Sequence, residues 1–426
     1  MITVGVVLDL ASTTTPGDPM DETSIVTELR SAAADSRRLD ARCEEIAASL
    51  LREGATPPFE LGSADFAADP LLICADRYWR LRFLDHPTVS TAAECARWLF
   101  DHAHGEHRVD IEQKWSPGYA FITKDNVESK TDLVEATGQI LDRYQGSEDI
   151  CYFAAIYHAA KLRANFWFDE LNQFLESSLL AVAAGAHRQD PLFVALQSFA
   201  AFGSRAITTE RARQLLDEAW NSPNRSRQVT DVCLNALSAA SPFDGHGELL
   251  RERAQEAVHN YPTDDIFRFR LATGQRMCEQ YTTALDNIDA ALRYLPAIGN
   301  RGSHKMLQEQ YLHERSMIQE GLQRAAWTTQ QQQRWERQAV ANDEIQRTVQ
   351  NSTIRAIELV TIFTAAIAFA VGSLQVTLSG TLRLGDRIWL LATLGTGLVV
   401  FALMIIGGTW LITRPHRARR TGHRDG

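Results

Sequence analysis

Two stretches near the end of the chain, IRAIELVTIFTAAIAFAVGSLQV (354–376) and IWLLATLGTGLVVFALMIIGGTWLI (388–412), decide the architecture. The first carries only Arg355 and Glu358, both at its leading end, and the second carries no charge. As helices they would be about 34 and 37 Å long, enough for a hydrocarbon core of about 30 Å. Trp389 and Trp410 bracket the second run, about 32 Å apart along a helix, as aromatic anchors at two interfaces would be. The segment between the runs, 377–387, is too short to cross back, so the reading is a two-span hairpin with both ends on one side. Thr364, Ala368 and Gly372, each four apart, form a small-residue stripe on the first span. Such a stripe lets helices approach closely, which serves packing within the hairpin and equally permits homo-oligomerisation.

Working outward, the charge is uneven. The 426-residue chain has a net charge of -10. The tail 413–426, with five Arg and one Asp, carries +4, and 351–412 carries +1, leaving -15 on residues 1–350. Tail Arg414, Arg417, Arg419, Arg420 and Arg424 outnumber loop Arg383 and Arg387, so the positive-inside rule puts both termini in the cytoplasm. The tail is expected to meet anionic lipid headgroups, and the acidic body to avoid nucleic acid. The opening ITVGVVL (2–8) is followed at once by Asp9, with no basic side chain before Arg30, so it is not read as a signal peptide. The mean hydropathy of -0.21 excludes a chain that is mostly membrane. Cys43, Cys74, Cys95, Cys151, Cys233 and Cys278 are scattered through apolar stretches without a CxxC pair, as reduced, buried thiols are.

Between Leu322 and Val371 there is neither Gly nor Pro, and the polar half of that stretch, TTQQQQRWERQAVANDEIQRTVQNST, is predicted to be a solvated helix running into the first span. Gln338 and Asn342 fall where a heptad wants apolar residues, so the coiled-coil signal is weak. Near the N-terminus, Ile25, Leu29, Ala32, Ser36, Leu39, Cys43, Ile46 and Leu50 recur at steps of four and three. They predict one long helix over 21–54, ended by Gly54, Pro57 and Pro58. KWSPGYAFITKDN (114–126) reads as an irregular loop.

The segment 265–296, DIFRFRLATGQRMCEQYTTALDNIDAALRYLP, resembles the tetratricopeptide repeat. Leu271 and Ala272 match its first helix, and Tyr281, Ala284, Leu285, Ile288, Ala291, Leu292 and Pro296 its second. Arg268 departs from the pattern at the tryptophan-like position, with Phe267 and Phe269 on either side. Ala257, Val258 and Pro262 repeat the signs thirty-four residues earlier. The resemblance implies a TPR-like α-solenoid body, and with the long connecting helix and the two transmembrane helices read above the expected fold is all-α. The resemblance also implies a protein-binding groove at Phe269, Thr273 and Arg276, beside Arg268 and Arg270. The expected organisation is an N-terminal arm and long helix (1–60), an irregular helical region (61–140) and TPR-like repeats (141–303). A polar stalk (304–353), the hairpin (354–412) and a basic tail (413–426) follow.

No glycine-rich phosphate loop, HExxH or GxSxG occurs, so the reading is non-enzymatic and needs no cofactor. The cluster DHAHGEHRVD (101–110) brings His102, His104 and His107 together without a known zinc spacing, and no metal is assigned. Three functions fit this outline. The first is a membrane-anchored protein that binds a protein partner at the inner membrane. The second is a sensor whose hairpin assembles to permeabilise the bilayer, an architecture similar to bacterial defence proteins. The third is a channel similar in outline to the CorA family, but Gly372, Ser373 and Leu374 stand where that family has Gly-Met-Asn.

Overall fold

Short polar side chains start the helices. Asp35, Asp69, Thr88, Ser129, Thr208, Ser226 and Asp264 each accept hydrogen bonds from backbone N–H groups two or three residues on, satisfying donors a helix start leaves open. The computed structural model describes residues 22–296, 301–378 and 383–413. The apolar opening, residues 297–300 and 379–382, and the Arg-rich tail from 414 onward lie outside the described residues.

The described residues form helices and no strand; one isolated parallel bridge joins Leu61 to Ala103. The order is α1 (Glu22–Ala32), α2 (Ser36–Glu53), α3 (Pro70–Asp85), α4 (Val89–His102), α5 (Gly105–Ile122) and α6 (Lys130–Arg143). Then come α7 (Glu148–Ala164), α8 (Phe168–Ser177), α9 (Leu179–Ala183), α10 (Pro191–Gly203), α11 (Thr209–Trp220) and α12 (Arg227–Ala239). The last are α13 (His246–Asn260), α14 (Asp265–Met277), α15 (Tyr281–Tyr294), α16 (Arg301–Leu378) and α17 (Leu384–Thr413). Two compact units result, 1–322 and 323–426.

In the first unit, α7 is apolar on all sides because it is enclosed. Ile150 to Leu162 is buried almost throughout, against α4, α5, α8 and α9. α10 is enclosed in the same way. Around α3, α4 and α5 sits an aromatic cluster of Trp79, Phe83, Trp98, Trp115 and Tyr119, with Phe83 and Tyr119 stacked at 4.6 Å. Burying each such ring stabilises the fold by roughly 1.5–3 kcal/mol. Trp98 Nε1 donates to the carbonyl of Pro57 at 2.9 Å. α14 pairs with α15 and with α13. Gly274 makes the second pairing possible: a Cβ there would lie 2.6 Å from the Arg251 backbone nitrogen.

Three sequence expectations change. The helix over 21–54 is two helices, because Asp35 caps the second and breaks the first. Ile25, Leu29, Ala32, Leu39, Cys43, Ile46 and Leu50 are buried, whereas Ser36 is exposed. KWSPGYAFI is helical, with Pro117 inside α5, because packing outweighs local propensity. There Trp115 and Tyr119 are buried, and Ser116 Oγ donates to the carbonyl of Phe153 at 3.0 Å. Finally, the solvated helix does not begin at 304. Tyr311 and Ile318 share a small core with Ala272, Ala284, Ile288 and Ala291, and Leu307 packs on it. Only beyond Leu322 is α16 almost wholly exposed.

In the second unit, both apolar helices are long enough to cross a bilayer, and neither apolar window is buried within the protein. They meet along one seam. A Cβ on Gly372 would sit 3.6 Å from Leu394, and one on Gly395 would sit 3.7 Å from the Phe369 ring.

Candidate functional site: a cationic cavity in an acidic body

The three groove residues expected on α14 do not act together. Phe269 lines a cavity of about 520 Å³ that Thr273 and Arg276 do not reach. Thr273 Oγ1 donates to the Phe269 carbonyl at 3.1 Å. Arg276 Nε donates to Glu314 Oε1 at 2.6 Å, an ion pair inside the fold.

Five helices supply the cavity lining. α5 contributes Lys114 and Phe121, with Lys124 just after it; α7 contributes Arg163, with Phe166 just after it. α12 contributes Arg227 and Asp231, α14 Phe269 and Arg270, and α16 Tyr311, which stacks on Phe269 at 4.8 Å. Lys114, Lys124, Arg163, Arg227 and Arg270 therefore face a single lining carboxylate, Asp231. Arg163 Nη2 donates to Asp231 Oδ2 at 2.9 Å. Burial would raise the Asp231 carboxyl, but Arg163, Arg227 and Arg270 together hold it below the usual carboxylate range. Arg227 loses by burial and gains more from Asp264, 2.7 Å away, so it stays above its ordinary value.

Lys124 pairs with Asp125 at 3.1 Å, whereas Lys114 and Arg270 are less well compensated. Among the described residues Arg270 makes no ion pair; its Nη2 reaches Asn235 Oδ1 at 3.3 Å and its guanidinium lies 5.0 Å from the Phe269 ring centre. Burial pushes Arg270 below its ordinary value in spite of Asp231. The Nε atoms of Arg163 and Arg270 are buried with no hydrogen-bond partner. Lys114 also has no ion pair among the described residues: its Nζ sits 3.4 Å from the centre of the Phe66 ring, and burial pushes it down.

At the cavity, Phe166 has φ +56, in the left-handed region, and is 56% exposed. For a bulky residue this conformation costs roughly 1–2 kcal/mol. The turn is held by Asn165, whose Nδ2 donates to the carbonyls of Lys124 (2.7 Å) and Lys161 (3.0 Å). Arg270 and Phe269 were visible in the sequence. Lys114, Arg163, Phe166 and Arg227 carried no signal there, since only folding brings them together.

Two other clusters have their polar groups committed. In a cavity of about 220 Å³, His187 Nδ1 meets Asp190 at 2.8 Å and Nε2 meets Asp149 at 2.9 Å. Burial opposes protonation, but both carboxylates favour it, so His187 is raised and keeps no ring nitrogen free for proton transfer. Glu112 beside it is pushed up to about 7 by burial. Elsewhere Lys161, fully buried, donates to the carbonyls of Pro87 and Asn126 (both 2.7 Å) and to Glu128 (3.1 Å).

The histidine cluster does not converge. His102 Nδ1 lies 2.9 Å from the Trp98 carbonyl and its ring stacks on Trp98, whereas His104 and His107 are exposed. Among the described residues no group of His, Cys, Asp or Glu is placed to hold a metal ion. In the hairpin, Trp389 and Trp410 are exposed. Gly372 lies in the seam, but Thr364 and Ala368 are exposed; Thr361, Ala365 and Phe369 are the half-buried residues beside it.

Compared with the known protein families, the curated proteins and the solved structures, the chain matches none.

Proposed function

We propose that this chain is a membrane-anchored, non-enzymatic binding protein. Its cytoplasmic body of TPR-like helix pairs holds a protein partner at the inner membrane. A two-span hairpin tethers it, with both termini in the cytoplasm and the Arg-rich tail against anionic headgroups. One observation carries the reading: two helices long and apolar enough to span a bilayer, with neither apolar window buried, follow a helical body that has its own buried core. The test compares full-length protein with a version ending at Asn351. Full-length protein should stay in the membrane through alkaline carbonate extraction, and the shortened body should be soluble and still capture the partner. Release of full-length protein by carbonate would sink the anchor.

A second reading is favoured by Thr364 and Ala368, which lie outside the hairpin seam and are exposed. Small residues on a lipid-facing surface suit contact with further spans. In this reading the body senses a signal and the hairpins assemble to permeabilise the bilayer. Expression of full-length protein would then depolarise the host cell, and the version ending at Asn351 would not. Silence of both favours the anchor.

A further inference from the structure

We propose that the cavity walled by Phe269 and Arg270 binds a small phosphate-bearing ligand with a planar ring, of nucleotide type. The proposal stands on the body alone and is independent of the hairpin's role.

Charge is the first argument. Residues 1–350 carry -15, yet the lining gathers five cations and one carboxylate; Arg227 and Lys124 are paired outside the lining, with Asp264 at 2.7 Å and Asp125 at 3.1 Å. Two of the chain's five lysines are among them. Holding Asp231 in place accounts for Arg163, whose Nη2 is bonded to it. It does not account for Lys114 or Arg270, which make no ion pair among the described residues, nor for the Nε atoms of Arg163 and Arg270, which have no hydrogen-bond partner there. Guanidinium forks with open N–H groups match phosphate oxygens, and a low-dielectric wall strengthens that attraction.

Aromatic surface is the second argument. Phe166 is 56% exposed and Phe121 39% exposed on the same cavity. The left-handed turn is the cap of α7, with the Trp167 N–H donating to the Leu162 carbonyl and the Phe166 N–H to the Arg163 carbonyl, both at 3.0 Å, and it leaves the Phe166 ring beside the cavity. Flat faces of this kind stack on bases and tolerate their identity. Size is the third argument. About 520 Å³, shared among five helices, falls within the range of small-molecule sites and is too confined for a helix or an extended peptide.

The experiment uses the full chain in detergent, titrated calorimetrically with ATP, GTP, CTP and UTP. Tripolyphosphate serves as the ringless probe and adenosine as the uncharged one. At least one nucleotide should bind, adenosine should not, and tripolyphosphate should bind about tenfold more weakly, as loss of one stacked base implies. Lys114→Met keeps the stem on Phe66 without the charge, and Phe166→Leu keeps apolar bulk without the ring. Each should weaken nucleotide binding about tenfold while leaving the melting midpoint of the free protein unchanged. Arg270→Gln should weaken nucleotide and tripolyphosphate alike. The proposal is overturned if none of the four nucleotides binds at millimolar concentration, or if tripolyphosphate binds as tightly as they do. It is also overturned if binding survives Lys114→Met and Phe166→Leu but disappears with the tail arginines.

Discussion

Arg276 Nε donates to Glu314 Oε1 at 2.6 Å, and the Glu314 side chain is only 5% exposed. The contact ties α14 to the first turns of α16, within the body. A guanidinium read from sequence as a clamp for an outside carboxylate has found one inside. Removing it should therefore act on folding. Arg276→Gln strands a buried carboxylate and should cost about 3 kcal/mol. Adding Glu314→Gln should recover most of that loss, because two neutral amides can satisfy each other. Denaturant unfolding of the four proteins in a double-mutant cycle measures the coupling; additive losses would deny it.

Lys161 predicts a larger effect from a residue outside every cavity argument above. Its ammonium closes the turn at Pro87 and the loop at Asn126 onto α7, with Glu128 as its counter-charge. Burial opposes ionisation of Glu128, but His158, 3.5 Å away, together with Lys161 and the Val89 N–H, holds it down to about 2. Lys161→Met leaves two carbonyls without a donor and takes the counter-charge from Glu128, which keeps only the Val89 N–H and His158, and should cost about 3–5 kcal/mol. The sign for pH follows from the depressed value. The stability that Glu128 contributes is present above the ordinary glutamate range and is lost as pH falls toward 2. Acid unfolding of Glu128→Gln should lack that component; an unchanged acid limb would refute the assignment.

What was legible in the sequence was whatever repeats locally. The spans showed because hydropathy sums along one helix. Leu271, Ala272, Ala284, Ile288 and Ala291 were singled out by spacing, and all are buried. Phase was harder to read. Thr364, Ala368 and Gly372 are four apart, but the seam residues Thr361, Ala365 and Phe369 keep the same spacing on a neighbouring face, so spacing alone does not choose between them. The seam mixes residues of different size, with the large Phe369 against Gly395, and no rule about small residues alone finds it. The break at Asp35 was hidden because the apolar phase continues across it. The cavity was illegible for another reason: Lys114 and Tyr311 are far apart in the chain, and nothing in either neighbourhood points to the other.

Glu112 gives a pH dependence of opposite sign to Glu128. Burial raises its pKa to about 7; Arg108, 3.4 Å away, only partly offsets this, and Asp149 adds to it. Between the ordinary glutamate value of 4.5 and 7 the folded chain keeps this proton while the unfolded chain has lost it. Stability therefore falls as pH rises through that window, by about 3 kcal/mol in all for this group. Glu112→Gln should match the parent at the acid end, then become progressively more stable up to neutral pH. Unfolding midpoints of both proteins across the window test this, and parallel curves would contradict it.

The hairpin seam separates two kinds of small residue that look alike in sequence. Gly395 lies under the Phe369 ring, where a methyl fits at 3.7 Å and a longer side chain does not. Gly395→Leu should force the two spans apart and lower the thermal midpoint of the detergent-solubilised protein, at about 1–3 kcal/mol. Ala368 is exposed, so Ala368→Leu should leave that midpoint where it is. Size-exclusion with light scattering on the same two variants then tests the assembly reading. If hairpins associate through the Thr364 and Ala368 face, Ala368→Leu alters the oligomeric mass without touching hairpin stability. If the mass is unchanged, that face meets lipid, and the hairpin is an anchor.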